Sequence, residues 1–155
     1  MPGSAGPLKT VEADVLLVYA AGGWTDKHHL ATGTDIDAAF VAPGVVASGA
    51  TPLHMAVLSD QHDVARFLID KGANINVPAK DEYGGTPLHW AAILGRVEMA
   101  RQLIDAGANV NSRDKNGYTP LDATTYEQFS DSKTRLMVAE LLRESGGERS
   151  QSEQE

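Results

Sequence analysis

The side chains with chemistry to offer are few. His54 and His89 stand in two near-identical octapeptides, ATPLHMAV at 50–57 and GTPLHWAA at 85–92, and His28, His29 and His62 complete the histidines. Imidazole titrates near neutral pH and serves as a general base or a metal ligand. His28 and His29 are adjacent, so on a helix their side chains point apart. Together with Asp26 they lack the HxxxH spacing or carboxylate cluster that a metal site needs. His62 precedes Asp63 at the start of a helical stretch, where a carboxylate complements the helix dipole. The chain has no G-x-S-x-G elbow, no phosphate-binding glycine loop and no HExxH helix. It has no cysteine, which removes disulfides, thiolate zinc sites and cysteine nucleophiles. No catalytic residue, no metal and no cofactor is expected.

The elements that hold those histidines are set by a repeat. TPLHMAVLSDQHDVARFLIDKGANIN begins at Thr51, TPLHWAAILGRVEMARQLIDAGANVN at Thr86, and a third copy opens as TPLDATT at Thr119. Self-similarity at a period of 33 to 35 residues signals stacked units rather than one globular core. In each copy a threonine hydroxyl (Thr51, Thr86, Thr119) is placed to cap a helix. The following proline (Pro52, Pro87, Pro120) occupies the first helical position, where a missing N–H costs nothing. Small residues such as Ala91 and Ala92 let this helix approach its neighbours, and it should stop near Gly95. A second helix follows, with Val97, Ala100, Leu103 and Ile104 predicted on its buried face, and Val64, Phe67, Leu68 and Ile69 in the preceding copy. Gly72 and Gly107 then stand where a helix ends in a left-handed residue, and ANIN and ANVN lead into a turn in which Asn76 and Asn111 are expected to shape the backbone.

This pattern resembles the ankyrin repeat: TPLH, two short helices and a G-A-N-x-N ending, twice in register between Thr51 and Asn111. The resemblance implies an all-α solenoid of about four helix-turn-helix repeats joined by projecting β-turn loops. The repeats fall at 11–37, 51–76, 86–111 and 119–144, within one domain spanning 11–144, between a disordered N-terminus at 1–10 and a disordered acidic tail at 145–155. In the first repeat, Gly33, Asp35 and Asp37 echo Gly72, Asn74 and Asn76. The resemblance also gives His54 and His89 a structural role, in hydrogen bonds between neighbouring turns. Asp122 takes the histidine's place in the last copy, as suits an edge repeat.

Composition agrees with a soluble chain of one domain or one short array. The 155 residues can bury about two-thirds of their unfolded surface, 42% of them are hydrophobic, and no apolar run reaches the length of a membrane span. VLLVYAA at 15–21 is short, follows Glu12 and Asp14, and runs into GGWTDKHH, so it is not read as a signal peptide, and the cytoplasm is the default location. With 21 acidic against 13 basic side chains, the formal charge of −8 disfavours a nucleic-acid partner.

The function expected from the resemblance is non-catalytic binding of another protein by a monomer, the partner bearing a basic surface. An inhibitory or regulatory subunit is one specialised form. Positions that the family turns toward its concave face carry Met55, Leu58, Trp90, Ile93 and Leu94. Apolar exposure of this kind marks interaction sites, and tryptophan is enriched among binding hot spots. The turn tips add Glu82, Tyr83, Lys115, Asn116 and Tyr118, and the long apolar first turn, thirteen residues between Asp37 and Thr51, adds Phe40 and Val41. That long turn could instead fold back to cover the end of the array. The alternative function is small-molecule or metal binding by the divergent N-terminal repeat, WTDKHHLATGTDID, and the long turn.

Overall fold

The computed structural model describes residues 36–39 and 48–150. Nothing of the predicted first repeat beyond residues 36 and 37 falls within them. His28, His29, Phe40 and Val41 and the disordered segment expected at 1–10 also lie outside. The chain divides into two compact units, Met1–Asn74 and Ile75–Glu155. Six helices and no strand occur among the described residues, so the fold is all-α.

In the first unit, α1 (Pro52–Leu58) packs against α2 (His62–Asp70). Thr51 is extended, with φ −88° and ψ 169°, its hydroxyl accepts the His54 N–H, and Pro52 opens the helix. Leu53, Ala56 and Val57 are buried on α1, and Val64, Ala65 and Leu68 on α2. Asp60, with φ +55°, turns the chain between them, and the Gln61 N–H donates to the Ala56 carbonyl at 2.8 Å. The α2 helix ends in a Schellman closure: Gly72, at φ +94°, donates to the Ile69 carbonyl and Ala73 to the Leu68 carbonyl. Asp37 acts across this unit, its carboxylate accepting the Asn74 N–H at 3.0 Å.

The second unit stacks two such pairs. Helix α3 (Pro87–Ile93) packs on α4 (Val97–Asp105) and on α5 (Pro120–Ala123), while α6 (Ser132–Glu144) lies against α4 and α5. Thr86 and Thr119 repeat the cap of Thr51, each followed by its proline. The core holds Leu88, Met99, Leu103, Leu121, Val138 and Leu142, with Ala91, Ala92, Ala100 and Ala139 where the helices come closest. The buried stripe of the second helix differs from the one predicted. Val97 and Ile104 are half-buried and Met99 is fully enclosed; in the earlier copy Phe67 and Ile69 are half-buried while Val64 and Ala65 are enclosed. The stripe is centred on residues 99, 100 and 103 because the short α4 meets both α3 and α6 along that line.

The connection after α5 is anchored at its far end. The Ser130 hydroxyl donates to the Ile93 carbonyl at 3.0 Å, Asp131 caps α6 through the Thr134 N–H, and the Arg135 guanidinium reaches the Thr124 and Ser130 carbonyls. Beyond α6, residues 145–150, which fall within the tail expected from 145 onward, make hydrogen bonds of their own. Gly146 takes φ +88° and repeats the Schellman closure with Gly147, and Ser150 is buried. Hydrogen bonding of the backbone holds this stretch, which has no apolar residue to bury.

Candidate protein-binding surface

Two turns of the second unit project the tip residues, and both are built by an aspartate. The Asp81 carboxylate accepts the N–H groups of Tyr83 at 3.0 Å and Gly84 at 2.7 Å, while Ala79 donates to the Gly85 carbonyl. Asp114 does the same for Asn116 at 2.8 Å and Tyr118 at 3.0 Å, and its own N–H donates to the Tyr118 carbonyl. Neither aspartate was singled out from the sequence, although D-E-Y-G and D-K-N-G carry the Asx-turn signal.

Lys115 ties the turns together. Its backbone N–H donates to the Tyr83 carbonyl at 2.8 Å and its ammonium to the Asp81 carbonyl. Gly84 is required beneath it, since φ is +65° and a Cβ there would lie 2.8 Å from the lysine Cγ. The structure therefore places Lys115 between turns. Asn116 and Glu82 are exposed.

His89 completes the lacing from below. Its Nδ1 lies 2.9 Å from the Thr86 hydroxyl and accepts the Thr86 N–H at 3.1 Å; its Nε2 lies 2.8 Å from the Tyr118 carbonyl. A carbonyl only accepts, so Nε2 carries the proton and Nδ1 is the acceptor. Burial pushes the imidazole pKa below its ordinary value, against the Tyr118 carbonyl, Asp114 and Asp122, which favour protonation. His54 makes the same contact with Thr51, at 2.9 Å. Both histidines are buried and neither is presented to a substrate.

Asn76 and Asn111 depart from the role read in the sequence. Neither adopts a left-handed backbone; among the described non-glycine residues only Asp60 does. Instead the Asn76 side chain accepts the Asn109 N–H at 2.7 Å, and Asn111 accepts the Glu148 N–H at 2.7 Å. Asp37 treats Asn74 in the same way, a carboxylate in an asparagine's place.

On this frame the aromatic groups stand out. Tyr83 is 58% exposed and Tyr118 38%, and the α5–α6 connection adds Tyr126 at 40% and Phe129 at 60%, two residues that the sequence reading passed over inside TYEQFSDSK. The Glu82 carboxylate, and more weakly Asp81, raise the Tyr83 phenol above its usual pKa. The Tyr126 phenol is raised by burial first, then by Tyr118, Asp114, Tyr83 and Asp122. Trp90, Ile93 and Leu94 are half-buried, with the indole beside Gly85, where an added Cβ would come 3.4 Å from its Cδ1. Met55 and Leu58 are half-buried in the first unit.

Among the described residues no group of three His, Asp or Glu side chains could hold a metal ion; His62 pairs with Asp60 at 3.2 Å. No described helix is long and apolar enough to cross a membrane. A family model described as ankyrin repeats in three copies matches residues 17–114 and again residues 76–148. No curated protein matches the chain.

Proposed function

The chain belongs to the ankyrin-repeat family, a family of protein–protein interaction modules, and on that footing we propose that it is a non-catalytic monomer that grips another protein through its turn tips and first-helix face. One observation carries the reading. Tyr83 and Tyr118 project from turns already locked by Asp81, Asp114 and Lys115. Aromatic side chains held in place before encounter bury much area and lose little conformational freedom on association. Tyr126 and Phe129 on the α5–α6 connection add exposed aromatic surface, and Trp90, Ile93 and Leu94 add half-buried apolar groups on and just after α3. The carboxylates of Asp81 and Glu82 beside Tyr83, together with a net charge of −8, suit a partner with a basic patch.

Affinity capture with the full chain, followed by calorimetry on the purified captured protein, tests this. The double variant Tyr83→Ala, Tyr118→Ala should bind at least about tenfold more weakly, the effect of losing one hot spot. Its helical circular dichroism should match the parent. Unchanged affinity in a folded double variant would move the interface elsewhere and sink the proposal.

A further inference from the structure

The last repeat differs from its neighbours in one group, and that group faces the chain's own end. At the histidine position of TPLH the third copy carries Asp122. In the preceding repeat His89 reaches the following turn through an N–H, which donates to the Tyr118 carbonyl at 2.8 Å. Asp122 has no such donor when ionised. What stands over it is the N–H of Ser150, which donates to its Oδ2 at 2.9 Å. The same oxygen accepts the Thr119 N–H at 2.9 Å, as Nδ1 of His89 accepts that of Thr86. Donor and acceptor have been exchanged on one side of the position and kept on the other.

The rest of the segment follows the same logic. Asn111 holds it twice, accepting the Glu148 N–H at 2.7 Å and donating from Nδ2 to the Gly146 carbonyl at 3.1 Å. The Thr119 hydroxyl, 3.2 Å from Asp122 Oδ2 where the Thr86 hydroxyl is 2.9 Å from the histidine Nδ1, makes its shorter bond to the Glu148 carbonyl at 2.6 Å. Residues 146, 148 and 150 thus present backbone groups at every second position to a ledge made of three side chains. Glu148 occupies the place that Asn109 takes in the repeat before, over Asn76. A glycine in the left-handed region leads into each, Gly107 at φ +100° and Gly146 at φ +88°.

We propose that Asn111, Thr119 and Asp122 form a docking site for main chain whose occupant is the chain's own Gly146–Ser150 segment. This segment stands in for the turn of a following repeat, and aspartate replaces histidine because the occupant offers an amide rather than a carbonyl. The segment caps the repeat that begins at Thr119. The ledge meets the occupant's backbone, and the Ser150 hydroxyl adds one further hydrogen bond to Asp122. The polarity at position 122 decides whether the segment binds.

Hydrogen–deuterium exchange on the full chain tests the assignment, with the Leu103 and Ala108 amides at the end of α4 reporting on the fold. Asp122→Asn keeps an acceptor oxygen and should retain most of the protection at Glu148 and Ser150. Asp122→His restores the residue of the other repeats, sets an N–H against an N–H, and should speed exchange at Glu148 and Ser150 by about tenfold or more while α4 is unchanged. Protection that survives in Asp122→His overturns the proposal. So does an asparagine variant that frees the segment as fully as the histidine one, since charge and not polarity would then hold it. Should Asp122→His also expose α4, Ser150→Pro decides, because it removes both donors of Ser150, the N–H and the hydroxyl, and leaves α5 intact. Faster exchange at Glu148 in that variant supports the cap, and unchanged exchange refutes it.

Discussion

His89 is held neutral by what surrounds each of its nitrogens. One faces a carbonyl that requires a proton and the other faces two donors that require a lone pair. A second proton would have to displace the Thr86 contacts inside a buried site. Replacement by alanine takes the acceptor from the buried Thr86 N–H, removes one of the two donors to the Tyr118 carbonyl, and should cost about 1–3 kcal/mol in urea unfolding. The pH dependence has a definite sign. Because the folded pKa lies below the ordinary 6.5, the stabilisation is complete above 6.5 and is lost as pH falls from there through the folded value. Comparing unfolding free energies of the parent and His89→Gln between about pH 7 and about pH 5 should show a slope in the parent that is reduced in the variant. Asp122 acts in a separate window. Burial raises its pKa, but the backbone and hydroxyl donors of Thr119 and Ser150 outweigh burial and bring it below 3.8. Its contribution is therefore complete above 3.8 and is lost only as pH falls further, through the folded value.

At the scale of elements, the turn between the paired helices shows how a local rule yields to a neighbour. Asp60 and Gly95 occupy equivalent positions and both are left-handed, at φ +55° and +65°. Aspartate tolerates that conformation better than most residues. At Gly95 an added Cβ would also meet the Thr134 hydroxyl at 2.4 Å and the Ser130 Cβ at 3.0 Å, because the α5–α6 connection lies against it. Gly95→Ala should lose about 1–3 kcal/mol, whereas Asp60→Gly should change stability by less than about 1 kcal/mol, both read from urea midpoints. Helix starts were legible from the sequence, since threonine and proline at Thr51–Pro52, Thr86–Pro87 and Thr119–Pro120 act on their own first turn. The buried stripe was less so. Val97 and Met99 are both apolar, and only the packing of α4 against α3 and α6 decides which is enclosed. Of the surface, the exposed tyrosines follow from glycine-flanked turns. Lys115 does not, because the carbonyls it binds belong to Asp81 and Tyr83, more than thirty positions away, and a long-range contact to main chain leaves no mark on local composition.

At the scale of the whole molecule, charge shapes how a partner arrives more than how firmly it stays. With 21 acidic and 13 basic side chains the chain's field attracts the proposed basic partner over a distance that salt shortens. Raising ionic strength from about 0.05 M to about 0.5 M should slow association by about tenfold or more and change dissociation far less, as stopped-flow or surface-resonance kinetics would record. Equal salt effects on both rates would place the charges inside the interface rather than around it. The contacts that join one repeat to the next lie at the opposite extreme, short and indifferent to charge. Asp37 over Asn74, Asn76 over Asn109, and Asn111 over Glu148 all seize a backbone amide, and His89 a backbone carbonyl. A joint that asks only for main chain accepts any neighbour of the same shape, so a gene segment duplicated in register arrives already compatible, and the outward residues of each copy are free to diverge toward new partners without unmaking the stack.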